Sequence, residues 1–223
     1  MSKKKILAVI AAAALAVSCV VAGTLAWLTA ESETITNTFT VGDINISLAE
    51  HVYDETSGLT SELAEDGNTY GFVPGDTLSK DPFVTVEANS KACWLFIHVK
   101  EENNTYTGLD GKIIGYTVAA DWTSVPNHDG FYYREVAATT DATAPMYILA
   151  DNQVTVNGNI TKEMVDGTEA AESTSASTVP GIEELNPQLI FTAAAVQKDN
   201  VATVTDAWAK LPAAFTGETA TTP

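Results

Sequence analysis

Residues 35–48 read ITNTFTVGDINISL, and the phase of their apolar side chains changes part-way along. Ile35, Asn37, Phe39 and Val41 fall on odd positions, whereas Ile44, Ile46 and Leu48 fall on even ones. Strand side chains alternate between two faces, so one unbroken strand would turn one of these apolar sets to solvent. Gly42 stands at the break. Two readings follow. Either a β-bulge at Gly42 re-phases a single strand, or the stretch is two elements, an arm that ends at Val41 and a body strand within 43–50.

The rest of the chain is written in the same period. In KIIGYTVAADW (112–122), Ile114, Tyr116, Val118, Ala120 and Trp122 share a face. GFYYREVAA (130–138) alternates after the turn sequence VPNHDG. In QLIFTAAAVQ (188–197), Ile190, Thr192, Ala194 and Val196 oppose Leu189, Phe191, Ala193 and Ala195. In ACWLFIHVK (92–100), Cys93, Leu95, Ile97 and Val99 suit a core, which turns Trp94, Phe96 and His98 the other way. Aromatic side chains rarely face bare water as a patch. They are expected to lie under the chain's own C-terminal segment, through Trp208, or in a subunit contact.

VTVNGNIT (154–161) reads as a hairpin with Asn157-Gly158 in a type I′ turn. Helix signals are few: TKEMVDG (161–167), and TVTDAWAKL (203–211) with Thr205 or Asp206 as cap and Pro212 beyond its end. Many short strands and one or two short helices predict a mainly β fold, an antiparallel sandwich. The polar runs at 166–181 and 212–223 read as exposed segments. The C-terminal run carries no sortase motif and no hydrophobic anchor, so attachment to a cell wall is not expected there.

Charge narrows the partners. The chain of 223 residues carries a net charge of −18. Without Lys3, Lys4 and Lys5 the balance is 8 basic against 29 acidic residues, or −21. Such a body repels nucleic acid and anionic membrane surfaces. Of the two cysteines, Cys19 lies in the apolar leader and Cys93 in an apolar strand, so no internal disulfide holds the body.

MSKKK followed by ILAVIAAAALAVSCVVAG has the form of a signal peptide, with Thr24 and Ala26 at the −3 and −1 positions of a cleavage site. A retained membrane anchor is the rival, because residues 6–30 carry no charge over a length that spans a bilayer. Against it stand nine alanines and two acids, Glu31 and Glu33, where a basic stop-transfer cluster is needed. Cys19 sits in a poor lipobox.

Two blocks resemble the TasA/camelysin family of Gram-positive bacteria: GTLAWLTAESETITNTFTVGDINISL (23–48) and PGDTLSKDPFVTVEANSKACWLFIHVKEE (74–102). The resemblance implies a SipW-type signal peptidase cutting between Ala26 and Trp27, and a jelly-roll-like sandwich. It also implies a secreted subunit of extracellular biofilm-matrix fibres, built head-to-tail by donated N-terminal strands. The chain is then a signal peptide (1–26), an N-terminal arm (27–41), a β-sandwich domain (42–211) and a tail (212–223). Ile35, Phe39 and Val41 would fill pockets of the next subunit. The partners would be the chain itself and, during export, the peptidase. The membrane enters only through the uncleaved leader.

Camelysin-type relatives are classed as metallopeptidases, but no H-E-x-x-H stands here. His51, His98 and His128 lie in separate segments. There is no G-x-S-x-G, no phosphate loop and no EF-hand spacing, and the setting of Cys93 is wrong for a nucleophile. No catalytic residue, metal or cofactor is therefore expected. The competing classes are a secreted metallopeptidase and a monomeric surface adhesin.

Overall fold

The computed structural model describes residues 30–33, 37–41, 43–65, 67–71, 73–167 and 180–217. Its centre is a pair of ten-residue strands, β9 (Cys93–Glu102) and β15 (Gln188–Gln197), paired antiparallel along their whole length. Their runs 93–97, 189–191 and 193–196 are apolar at successive positions, and both faces are buried there. Strands buried on both sides need such runs in place of a clean apolar–polar alternation.

Around them five strands form one sheet in the order β11-β12-β9-β15-β2. Here β11 is Thr123–Ser124, β12 is Phe131–Val136 and β2 is Asn37–Val41. The β11–β12 hairpin turns through Asn127 and Gly130, at φ of 62° and 79°. A Cβ on Gly130 would lie 3.0 Å from the Val99 carbonyl oxygen, so only glycine fits both the angle and the approach.

Against one face of this sheet lie two three-stranded sheets. One is β10 (Ile114–Val118), β14 (Leu149–Val156) and β7 (Thr77–Ser79). The other is β13 (Met146–Tyr147), β8 (Phe83–Val86) and β3 (Ile46–Ala49). Leu95, Ile97, Val99, Phe191, Ala193 and Ala195 meet Ile44, Ile46, Leu48, Val84, Val86, Val154 and Val156 in the main core. Each large side chain buried there contributes about 1.5–3 kcal/mol. Two ribbons complete the strands: β4 (His51–Asp54) with β5 (Gly58–Leu63), and β1 (Ala30–Glu33) with β6 (Gly67–Tyr70). The mainly β expectation holds.

The opposite face of the central sheet has its own cluster. Trp94, Phe96, Ala194 and Val196 lie under Val125, Val201, Ala207, Leu211 and Phe215. The Trp94 indole N–H donates to the Val201 carbonyl at 3.0 Å, and Trp208 meets Phe96 edge-on at 6.1 Å. The C-terminal segment thus covers the aromatic face, as expected.

Four short helices are described: α1 (Lys162–Asp166), α2 (Ile182–Leu185), α3 (Val204–Trp208) and α4 (Ala213–Thr216). Three expectations need correction. Asn157 and Gly158 do not take the positive φ of a type I′ turn. Instead the chain turns from Asn157 into α1, with the Ile160 N–H donating to the Asn157 carbonyl and Thr161 capping the helix. The cap of α3 is Thr203, whose hydroxyl accepts from the Asp206 N–H. Residues Ala213–Thr216 form α4 and its Phe215 is only 3% exposed, where the sequence suggested the start of a tail.

Candidate functional site: the arm and the edges that receive it

The phase break resolves into two elements. β2 belongs to the five-stranded sheet, and β3, which begins five residues later, belongs to a three-stranded one. On the body side Ile44, Ile46 and Leu48 all point into the main core. A change of sheet explains the change of parity without a bulge inside one strand.

The arm makes two ladders on its own body. β1 runs antiparallel to β6, with Ser32 opposite Asn68 and Ala30 opposite Tyr70. β2 runs parallel to β15, with Phe39 opposite Ala194 and Val41 opposite Val196. The other ladders among the described residues are antiparallel, as the expected antiparallel sandwich requires, and this pair is the exception. Its reason is topological: β15 is some 150 residues downstream, so no hairpin dictates the direction. Of the sequence-derived contact residues, Phe39 and Val41 are in β2. Ile35, Ala26 and Trp27 lie outside the described residues, as does the rest of the leader.

The strand that pairs with β2 carries small side chains at its centre. Ala193, Ala194 and Ala195 are fully buried in succession, two in the main core and one in the second cluster. β2 occupies the end of the strand order, so β15 would become the sheet's edge without it.

The residues weighed for chemistry fall into packing roles. Cys93 is fully buried, and burial pushes its thiol up to about 11, the opposite of an activated nucleophile. His98 stacks on Phe131 with ring centres 3.8 Å apart, and His128 stacks on Trp208 at 3.9 Å. His51 sits apart from both, its Nδ1 2.6 Å from Asp81 Oδ2. Among the described residues no three His, Cys, Asp or Glu side chains are grouped to hold a metal ion.

Sequence reading missed one polar cluster. Lys80 and Glu50 are 2% and 1% exposed and form an ion pair of 2.8 Å. The other oxygen of Glu50 accepts from Asn68 Nδ2, also at 2.8 Å. Parity carries a signal for it. Glu50 continues the inward phase of Ile44, Ile46 and Leu48; Lys80 follows Leu78 by two; Asn68 precedes Tyr70 by two.

Residues 1–60 match the family model described as Camelysin metallo-endopeptidase. The match is to the TasA/camelysin family. It spans the leader, the arm, β3, β4 and the start of β5, and so bears out the resemblance over the N-terminal block. The camelysin match includes Glu50 but stops short of Asn68 and Lys80. No curated protein and no solved structure matches the chain.

Proposed function

We propose that this chain is an exported structural subunit that polymerises outside a Gram-positive cell by donating its N-terminal arm. The observation that carries the reading is the parallel β2–β15 ladder, made by an arm that changes sheet at its junction with the body. An arm that completes its own sheet can complete a neighbour's by the same hydrogen bonds. The swap conserves the ladder contacts, so hinge geometry and protein concentration decide between the closed monomer and the chain of subunits. Each arm then reaches a different molecule, so the contact is head-to-tail and need not close.

Leader removal at Ala26–Trp27 supplies the trigger in this reading. It frees the end of the arm from the membrane and leaves residues 27–41 at the start of the secreted chain. The location follows as extracellular matrix or cell surface.

The test is electron microscopy of protein beginning at Trp27 beside protein beginning at Gly42. Fibres from the first and none from the second are expected. Equal assembly by both, or by neither, ends the arm mechanism. The family description favours a second reading, a secreted metallopeptidase. Stoichiometric zinc in pure protein together with chelator-sensitive proteolysis would establish that one. A stable monodisperse monomer after correct processing would instead point to an adhesin.

A further inference from the structure

The buried cluster beneath β6 holds an amine, an amide and a carboxylate in one dry pocket. Lysine is almost never fully buried, and burying an ion pair costs several kcal/mol per ion before attraction and hydrogen bonds repay it. Lys80 Nζ donates to Glu50 Oε2 at 2.8 Å, and Asn68 Nδ2 donates to Glu50 Oε1 at 2.8 Å. One carboxylate therefore bridges the two nitrogens. The Asn68 amide is held at both ends: its Nδ2 also donates to the His51 carbonyl at 2.8 Å, and its Oδ1 accepts from the Tyr53 N–H at 2.7 Å. Aromatic walls stand over the amine, with Nζ 5.1 Å from the Tyr70 ring centre and 5.5 Å from that of Phe191. Backbone contacts fix the lysine, whose N–H donates to the Asn152 carbonyl at 2.8 Å.

We infer that Lys80 and Asn68 condense into an intramolecular isopeptide bond, with Glu50 as the proton carrier. The groups seen here are the reactants. The ammonium first passes a proton to Glu50 across their hydrogen bond. The amine lone pair attacks Asn68 Cγ, and the carbonyl electrons move onto Oδ1, where the Tyr53 N–H receives the developing charge. Glu50 gives its proton to Nδ2 and takes one from Nζ. The carbonyl re-forms, the Cγ–Nδ2 bond breaks and ammonia departs, taking up the remaining proton. The sum is Lys–NH3+ and Asn–CONH2 giving Lys–NH–CO–Asn and NH4+. No oxidant, reductant or outside reactant is consumed. Fixing the two groups in one pocket replaces the encounter that such a reaction needs in solution. The aromatic walls then keep water from the new amide.

The bond would join β6 to the residue that follows β7, closing a covalent loop over residues 68–80. The inference stands apart from the assembly reading, because mass is measured on the protein whatever its state of polymerisation. Purified full chain, with its N-terminus fixed by sequencing, is expected to weigh one ammonia less than its sequence. A peptide map should return a branched peptide joining the Asn68 and Lys80 segments. Glu50→Gln should keep the full mass, and Asn68→Asp should lose water in place of ammonia. Wild-type protein that is folded by circular dichroism, yet keeps its full mass and gives separate peptides after prolonged incubation, overturns the inference. That result stands even where the variants fail to fold.

Discussion

Mild acid should loosen this fold through His98 before most carboxylates are protonated. Burial, with repulsion from Lys100 added, pushes the His98 imidazole down from 6.5 to about 4. In the unfolded chain the ring titrates near its ordinary value of about 6.5. Between those two values the unfolded chain carries a proton that the folded chain lacks, so stability rises with pH across the window. The contribution is complete above about 6.5 and is lost as pH falls toward 4. At about 1.36 kcal/mol per pH unit, the gap sets a ceiling of roughly 3 kcal/mol. His98 also lines an open groove of about 430 Å³ with Lys100, Glu102 and Thr192, so solvent reaches it. Screening there reduces the expected loss to about 1–2 kcal/mol. Glu101 acts in a lower window. Burial would raise it, but Lys112, Asn104 and Tyr116 together hold it below its ordinary value. The assay is the urea midpoint from pH 7.5 down to 4.5 for the wild type and His98→Phe, which keeps a ring against Phe131 and removes the titration. The wild-type midpoint should fall with a steeper slope than the variant's. An imidazole that titrates near 6.5 by NMR in the native protein, or parallel slopes for the two proteins, refutes the argument.

Other expectations follow from packing. Phe215→Ala removes a buried ring that meets Phe131 edge-on at 5.6 Å, and should cost about 3–5 kcal/mol in denaturant titration. A loss below 1 kcal/mol would mean that α4 does not cap the second cluster. Gly130→Ala places a side chain at φ 79° and should cost about 1–2 kcal/mol by the same measurement. The Cys93 thiol should resist a thiol reagent at pH 8 in the native protein and react promptly in urea; equal rates would contradict its burial.

What the sequence made legible follows from what each pattern encodes. Parity located β9 and assigned Cys93, Leu95, Ile97 and Val99 to one side and Trp94 and Phe96 to the other, because a strand's period is fixed by its backbone. The need to cover those aromatics predicted the C-terminal segment over them, and Trp208 is there. The turn at Asn157 misled because Asn-Gly before a Thr-capped helix serves equally well as a helix entry. Parallel pairing of β2 was not legible: residues 37–41 carry the alternation of a strand but no mark of which distant edge they meet or in which direction. The buried Glu50, Asn68 and Lys80 were hidden for a related reason. Each looks like a solvated surface residue by type, and only the agreement of three separate strands in phase places them together.

The two proposals meet mechanically at β6. In a fibre, tension would enter a subunit through the received arm, whose β1 ladder lies on Gly67–Tyr70 and whose β2 ladder lies on β15. β15 is secured by its full-length pairing with β9 and by burial on both faces. β6 has no such backing: it is four residues long, and its sheet contains only β1. Asn68 is the inward side chain in the middle of it, and its contacts to Glu50, His51 and Tyr53 are the polar ties that fix β6 to the body. A covalent link from Asn68 to Lys80 would convert the weaker receiving ladder into an anchored one. The sharpest consequence is directional. Preventing the bond with Glu50→Gln also leaves the buried Lys80 ammonium without its carboxylate, so isolated subunits should lose about 3–5 kcal/mol of stability, and the fibres that still form should break at lower shear. Fibres of equal strength with and without the bond would separate the chemistry from the assembly and leave the cross-link a purely local brace.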